Sequence, residues 1–341
     1  MKVSWERVSL HTSMPFVIAR WGYAGHDNVI VCITEDGLSG MGEAAPNRYY
    51  NESADTVVAA LECYRPIVEK GRYRSLEALD SALARAAAGN ASARAAVSSA
   101  LHDLYAQKLG IPLHRMWGLS PDATPLSSFT IAIDDADGLR RRVAAAAQYP
   151  ILKIKLGTAR DEEIVRTVRE AAPDKVLRVD ANAAWTPGEA VERSAMLRDN
   201  AVESLEQPVA AEDIEGMRFV RERCGMPVIA DESCRVAHDI PRLAGACDAI
   251  NLKLAKCGSL REAIRMIHTA RAHDMTVMAG CMIETSLGIS AIAQVAPLLD
   301  SADFDGAALL ADDPFQGVTI HGGRVTLLDA PGLGVTRRPP A

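Results

Sequence analysis

The 341-residue chain carries 37 Lys and Arg against 44 Asp and Glu, a net charge of −7, with 48% hydrophobic and 24% charged residues. This is ordinary globular usage, and the lack of any Lys/Arg block argues against nucleic acid or an anionic membrane surface as the main partner. Seven cysteines, odd in number and without CxxC spacing, read as reduced thiols, and no apolar run approaches the roughly 18 residues of a membrane span, so a cytoplasmic protein is expected.

The first 45 residues read as strands: Phe16 to Arg20 and Asn28 to Thr34 are rich in β-formers, and Glu35-Asp36-Gly37 is a turn signal. From Ser53 to about Leu109 the spacing turns helical, as in Ser92 to Leu104. Strands followed by helices predict an α+β domain over 1–117. Beyond Pro125, apolar segments near 126–133, 150–156, 176–181, 202–206, 227–231, 248–254, 275–280 and 302–306 alternate with helical ones. Eight such alternations describe a (β/α)8-type barrel over 118–316 rather than an open sheet. The last segment, 317–341, has Gly322-Gly323 and Pro331-Gly332 but no helical pattern. It is expected to return to the first domain and complete it.

Alternate residues of a barrel strand point inward, and reactive groups gather at the strands' C-terminal ends. Lys153 and Lys155 therefore share the inner face of the second strand, among Ile151, Leu152, Ile154 and Leu156, where two ammonium groups need a reason to be buried. Asp180, Glu206 and Asp231 close the third, fourth and fifth strands, about 25 residues apart, the length of one β/α unit. Three carboxylates brought together repel unless a cation neutralises them, and hard oxygen ligands suit Mg²⁺ first and Mn²⁺ second. Lys253 ends the sixth strand, diametrically opposite the second, so the lysines approach a central ligand from opposite faces. That arrangement suits removing a proton next to a carboxylate, holding the enolate on the metal and returning the proton from either face. Asp303 and Asp305 share a face of the last strand, across the ring from the metal arc, and suit a substrate ammonium. Lys256 reads as a surface residue at a helix start.

The segments Leu152-Lys153-Ile154-Lys155-Leu156-Gly157, Arg178-Val179-Asp180-Ala181-Asn182, Leu205-Glu206-Gln207-Pro208, Ala230-Asp231-Glu232-Ser233 and Asn251-Leu252-Lys253 resemble the enolase superfamily, in its muconate-lactonizing subgroup. The resemblance covers nearly the whole chain. Within the subgroup, Asp303-Phe304-Asp305 and Cys281-Met282-Ile283-Glu284-Thr285 look like segments of the dipeptide epimerases. It implies an enolase-like fold, a modified (β/α)7β barrel with an α+β capping domain. The implied reaction is a Mg²⁺-dependent 1,1-proton transfer at Cα of a dipeptide's C-terminal residue, in line with the superfamily's use of a basic residue with Mg²⁺ on an enediolate.

The same resemblance implies residue roles. Asp180, Glu206 and Asp231 would hold Mg²⁺, Lys155 and Lys253 would be the acid/base pair, and Lys153 would assist them. Asp303 and Asp305 would take the α-ammonium, and Thr130, Met282 and Ile283 would contact the substrate. Loops 14–25 and 45–53, with Arg20, Trp21, Tyr23, Tyr49 and Tyr50, would close over it. His11-Thr12 and Pro15 to Arg20 resemble the part of L-Ala-D/L-Glu epimerases whose Arg pairs with the acidic side chain. Arg20 is thus the expected partner of that side chain, and L-Ala-D/L-Glu or a related dipeptide from murein breakdown the expected substrate. Homo-oligomerisation is compatible with this reading; a nucleic-acid or membrane partner is not part of it. An o-succinylbenzoate synthase or muconate cycloisomerase of the same superfamily would use the same metal and lysines without needing the aspartate pair. A non-catalytic binding protein would not need the full set, and a Schiff-base aldolase would leave three carboxylates unexplained.

Overall fold

The N-terminal β-formers build a three-stranded antiparallel meander, β1 (Lys2–Val17), β2 (Gly22–Glu35) and β3 (Leu38–Ala44), in a computed structural model that describes residues 1–70 and 75–339, with Tyr23 and Ala24 described by backbone alone. β1 begins far ahead of the Phe16 that the sequence suggests and stops at Val17, leaving Ile18 to Trp21 as a turn closed by the Ile18 N–H to Trp21 O bond of 2.9 Å. The strand was hidden because its apolar alternation changes phase: Val3 and Trp5 face the capping helices, whereas Val8 packs against the barrel core. The sheet lies between two cores and feeds both, as Val29, Val31 and Ile33 join one cluster and Ile30 the other.

Helices α1 (Ala54–Lys70), α2 (Leu76–Ala86) and α3 (Ala91–Leu109) cover that sheet. The α3 face toward β3 is built from Ala93, Ala96 and Ala100, and β3 answers with Gly40 and Gly42. A Cβ at these glycines would stand 2.0 Å from the Ala100 carbonyl oxygen and 2.1 Å from that of Ala96. Backbone meets backbone there, and no larger residue fits.

The barrel follows in chain order: β4 (Phe129–Ile131), α4 (Ala136–Ala145), β5 (Ile151–Lys155), α5 (Asp161–Ala171), β6 (Val176–Asp180), α6 (Pro187–Asp199), β7 (Val202–Glu206) and α7 (Ile214–Cys224) make its first half. Then come β8 (Val228–Ala230), the short α8 (Ile240–Leu243), β9 (Ala249–Leu252), α9 (Leu254–Cys257), α10 (Leu260–Ala272), β10 (Thr276–Gly280), α11 (Ser286–Ala293) and β11 (Ser301–Asp303). Seven of the eight parallel strands fall in the segments expected, β11 overlaps its own at 302–303, and each pairs with its sequence neighbours. The ring is closed by a bridge of Ser127 to Ala302 and a 3.0 Å bond from the Ser128 N–H to the Ala302 oxygen. After β11 the chain makes a 3-10 turn, Asp305–Leu309, in place of an eighth α-helix. The fold is therefore the enolase-like one, with seven β/α units and a final strand.

The C-terminal segment runs back along the first domain. The Leu333 N–H donates to Asp103 at 2.8 Å, the Leu113 N–H donates to the Gly332 oxygen at 2.9 Å, and Arg337 pairs with Glu6. Pro340 and Ala341 lie outside the described residues. No described helix is long and apolar enough to cross a membrane, and the seven cysteines are free thiols.

Candidate metal and acid–base site

Asp180 is the last residue of β6, Glu206 the last of β7, and Asp231 follows β8 by one residue. All three are buried, and one oxygen from each lies within 4.8 Å of the others. The backbone just past these strand ends is unusual, with Asn182, Ala183 and Gln207 at φ 48°, 61° and 33°. Left-handed conformations cost non-glycine residues roughly 1–3 kcal/mol each and persist where the surroundings over-determine them. Gln207 shows how: its N–H donates to the Ile229 oxygen at 2.8 Å, and its side-chain oxygen accepts from the N–H groups of Asp231 and Ser233 at 2.9 and 3.1 Å. The turn that bends the chain after Glu206 thereby fixes Asp231.

Lysines meet these carboxylates from two sides. Lys155 donates to Asp180 Oδ2 at 2.7 Å, and Lys253, the residue after β9, donates to Asp231 Oδ2 at 2.8 Å. Lys153 lies 2.8 Å from Glu206 Oε2, 2.9 Å from Asp303 Oδ2 and 3.4 Å from Asp180 Oδ2. Burial pulls Lys153 and Lys253 down, but the surrounding carboxylates outweigh it and raise both. Burial pushes the acids up, and for Asp180 and Asp231 the adjacent lysines reverse that and hold them below the usual carboxylate range. Glu206 is pushed up to about 8 by burial and by the charge of Asp180. Three hard carboxylate oxygens within 4.8 Å of one another suit Mg²⁺.

Asp303 and Asp305 reach the same cavity by different routes, which corrects their expected sharing of a strand face. Asp303 ends β11, whereas Asp305 opens the 3-10 turn and accepts from the Thr130 N–H at 2.6 Å. Asp303 accepts from Ser128 Oγ at 2.7 Å, and Lys153 links it to the opposite arc. Burial and the neighbouring Asp303 push Asp305 up to about 7, while for Asp303 burial is outweighed by Lys153, which lowers it.

A partly open cavity of about 80 Å³ is lined by Lys153, Lys155, Asp231, Lys253, Asp303 and Asp305. Thr130, Met282 and Ile283 line it too, as does Arg20 with Phe16, Ile18 and Tyr49 from the first domain. Arg20 is paired with Glu232, donates to the Asn182 oxygen at 3.0 Å and stacks 4.1 Å over the Tyr49 ring. Ala19 beside it packs on Gly157, where a Cβ would come within 2.6 Å of the alanine's. Arg48 lies 4.1 Å over Trp21 and Arg235 5.0 Å over Tyr50. The Tyr23 side chain is outside the described residues.

Lys256 is the clearest departure from expectation. Its side chain is wholly buried under the loop after β8, where its three N–H groups are shared among four acceptors, Asp231 Oδ1 at 2.6 Å and the backbone oxygens of Asp231, Asn251 and Cys234 at 2.5, 2.7 and 3.0 Å. Glu232, Asn182 and Asn251 also belong to the site, although the sequence motifs that contain them gave them no role. Strand alternation would send Glu232 away from Asp231, but both lie past the strand end, where alternation stops.

Residues 2–118 match the N-terminal domain of the mandelate racemase / muconate lactonizing enzyme family, and residues 135–341 match the family described as enolase C-terminal domain-like. The chain belongs to the mandelate racemase / muconate lactonizing enzyme family. Among relatives of this family member is an L-Ala-D/L-amino acid epimerase of Maribacter sp., 39% identical over 98% of the chain and 99% of the relative. The substrate-liganded L-Ala-D/L-Glu epimerase of Bacillus subtilis superposes with a TM-score of 0.93 at 31% identity, over 98% of this chain and 99% of that one. A dipeptide epimerase of Enterococcus faecalis complexed with Mg and L-Leu-L-Tyr does so with a TM-score of 0.93 at 32% identity, over 98% and 99%.

Proposed function

We propose that this family member is a Mg²⁺-dependent dipeptide epimerase that inverts Cα of the C-terminal residue, with L-Ala-D/L-Glu or a related dipeptide as substrate. The observation that carries the reading is the pair Lys155 and Lys253, set on opposite strands of the ring and each beside a different carboxylate of the Asp180, Glu206 and Asp231 cluster. In the reaction one lysine, as the free amine, takes the α-proton from one face, and the other, as the ammonium, delivers a proton to the opposite face. Running the reaction backward exchanges their roles. The three acids would hold the cation, which when bound supplies positive charge to the substrate carboxylate as that group gains electron density. Lys153 would hold the same carboxylate, and Asp303 with Asp305 would take the α-ammonium, anchoring the substrate at its far end.

Arg20 is the group for an acidic side chain: its Nε–H has no hydrogen-bond partner among the described residues, although its terminal nitrogens are engaged. Thr130, Met282 and Ile283 complete the walls. We take residues 1–117, completed by 317–341, as the capping domain, 118–316 as the catalytic barrel, and the enzyme as cytoplasmic, with a small-molecule dipeptide as its partner, no nucleic acid or membrane, and room for a homo-oligomer.

Incubation with Mg²⁺ and pooled L,L-dipeptides in D₂O tests the reading. Deuterium gain at the C-terminal Cα with inversion is expected, concentrated in Xaa-Glu dipeptides. A gain confined to other side chains keeps the reaction and removes the Arg20 assignment. No exchange in any pool overturns the epimerase reading and moves weight to a cycloisomerase, which would also tolerate Asp303→Asn with Asp305→Asn.

A further inference from the structure

The six oxygens of the carboxylate triad are divided between two kinds of donor. On Asp180, Oδ1 accepts from the Asn182 backbone N–H at 2.8 Å and Oδ2 from Lys155 at 2.7 Å. On Glu206, Oε1 accepts from Asn251 Nδ2 at 2.8 Å, with Lys153 also at 3.0 Å, and Oε2 lies 2.8 Å from Lys153. On Asp231, Oδ1 accepts from Lys256 at 2.6 Å and Oδ2 from Lys253 at 2.8 Å. Every second oxygen thus faces a lysine that lines the substrate cavity, while each first oxygen accepts from a further donor, the Asn182 N–H, the Asn251 amide or Lys256. Asn251 and Lys256 do not line that cavity. Lys256 is itself locked by three backbone oxygens, at 2.5, 2.7 and 3.0 Å, so it cannot follow the carboxylate toward a ligand.

We infer that Lys256 and Asn251 are positioning residues that keep Asp231 and Glu206 one-oxygen ligands, and that they thereby select a small octahedral cation over a larger one. The inference rests on the metal site of the proposed function. Mg²⁺ takes near-ideal octahedral coordination from single carboxylate oxygens and water, whereas Ca²⁺ takes more oxygens at longer distance and commonly gathers both from one carboxylate. An oxygen already committed to a fixed donor is not free to become the second arm of such a clamp. The Asn182 N–H does the same for Asp180 by way of the backbone, so no side-chain substitution removes it, and the two adjustable positions are 251 and 256.

Isothermal titration of Mg²⁺ and Ca²⁺ into the full chain and into Lys256→Met, Lys256→Arg and Asn251→Ser tests this without any turnover assay, with folding checked by circular dichroism. Removing the Lys256 charge strengthens binding of either dication alike, so the Ca²⁺/Mg²⁺ affinity ratio is the quantity read. The wild-type protein is expected to prefer Mg²⁺. Lys256→Met should move the ratio toward Ca²⁺ by about 10-fold, the lower end of what partners of metal ligands contribute. Lys256→Arg, which keeps a donor, should leave the ratio at the wild-type value, and Asn251→Ser, which acts at Glu206 instead, should shift it toward Ca²⁺ whether or not Lys256→Met folds. Folded variants with the wild-type ratio overturn the inference while leaving the epimerase reading intact. A wild-type protein that binds neither ion overturns both.

Discussion

Lys155 and Lys253 occupy equivalent places on opposite sides of one cavity, and their separate carboxylate partners mean that neither can stand in for the other. Lys155→Ala and Lys253→Ala are each expected to lower epimerisation by about 10²–10⁴-fold, the range that a positioned acid or base contributes. Each variant should keep some Cα–H exchange with D₂O from the one diastereomer whose proton faces the surviving lysine, and the favoured diastereomer should differ between the two. Following the Hα signal of L,L and L,D substrate by NMR checks this; full, equal turnover in both variants removes the two-base assignment. The residues in this argument were legible in the sequence because an ammonium pair inside an apolar strand, and acids spaced one β/α unit apart, have no ordinary structural reason. Lys256 was not. It follows Lys253 by three residues in a one-turn helix, and nothing in its neighbours foretells that the loop after β8 folds over it. Glu232 was missed for a related reason, since the inward and outward alternation that organises a strand has no authority one residue beyond it.

At the scale of elements, β3 meets α3 backbone to backbone at Gly40 and Gly42. Gly42→Ala would put a methyl group 2.1 Å from the Ala96 oxygen, and because the obstacle is helix backbone rather than a side-chain tip, the sheet and helix must separate. The expected cost is on the order of 3 kcal/mol, the upper part of the usual overpacking range. A lower melting temperature should appear in thermal denaturation, while Mg²⁺ affinity stays near wild type because the three acids sit on barrel strands. An unchanged melt would show that sheet and helix can separate there without cost. The barrel strands were readable because parallel strands covered on both faces are short continuous apolar runs with no competing pattern. β1 was not, since its alternation changes phase where it passes from one core to the other. Asp305 shows the same limit from the other end: its spacing from Asp303 implied a shared strand face, but the strand stops and the next turn delivers the carboxylate instead.

The molecule as a whole is joined at buried acids. Glu43 of β3 accepts from the Thr285 N–H and hydroxyl, from the Gly288 N–H at 2.9 Å and from Asn28 at 2.6 Å, so the first domain caps α11 of the barrel. Glu284 converges on the same point: a Cβ at Gly288 would lie 2.5 Å from Glu284 Oε2 and 3.0 Å from Glu43 Oε2. Burial, then the proximity of Glu43, pushes Glu284 up to about 7 from its ordinary 4.5. Between these two values the folded protein binds a proton there that the unfolded chain does not. The stability Glu284 leaves to the fold is therefore full below about 4.5 and falls as pH rises through about 7, by an amount on the order of 3 kcal/mol. Glu284→Gln removes that slope without removing the hydrogen-bonding shape. Denaturant unfolding of both proteins at pH 5 and pH 8 should find the variant gaining on the wild type at the higher pH and much less at the lower. Parallel pH profiles would mean that Glu284 is ionised in the fold at both. Because Met282 and Ile283, on the same loop, wall the cavity and the Ile283 oxygen accepts from Asn28 at 2.9 Å, this contact also shapes the site. A variant that flattens the stability profile should consequently alter KM for the dipeptide more than it alters Mg²⁺ affinity, since the acids of the metal cluster belong to other strands.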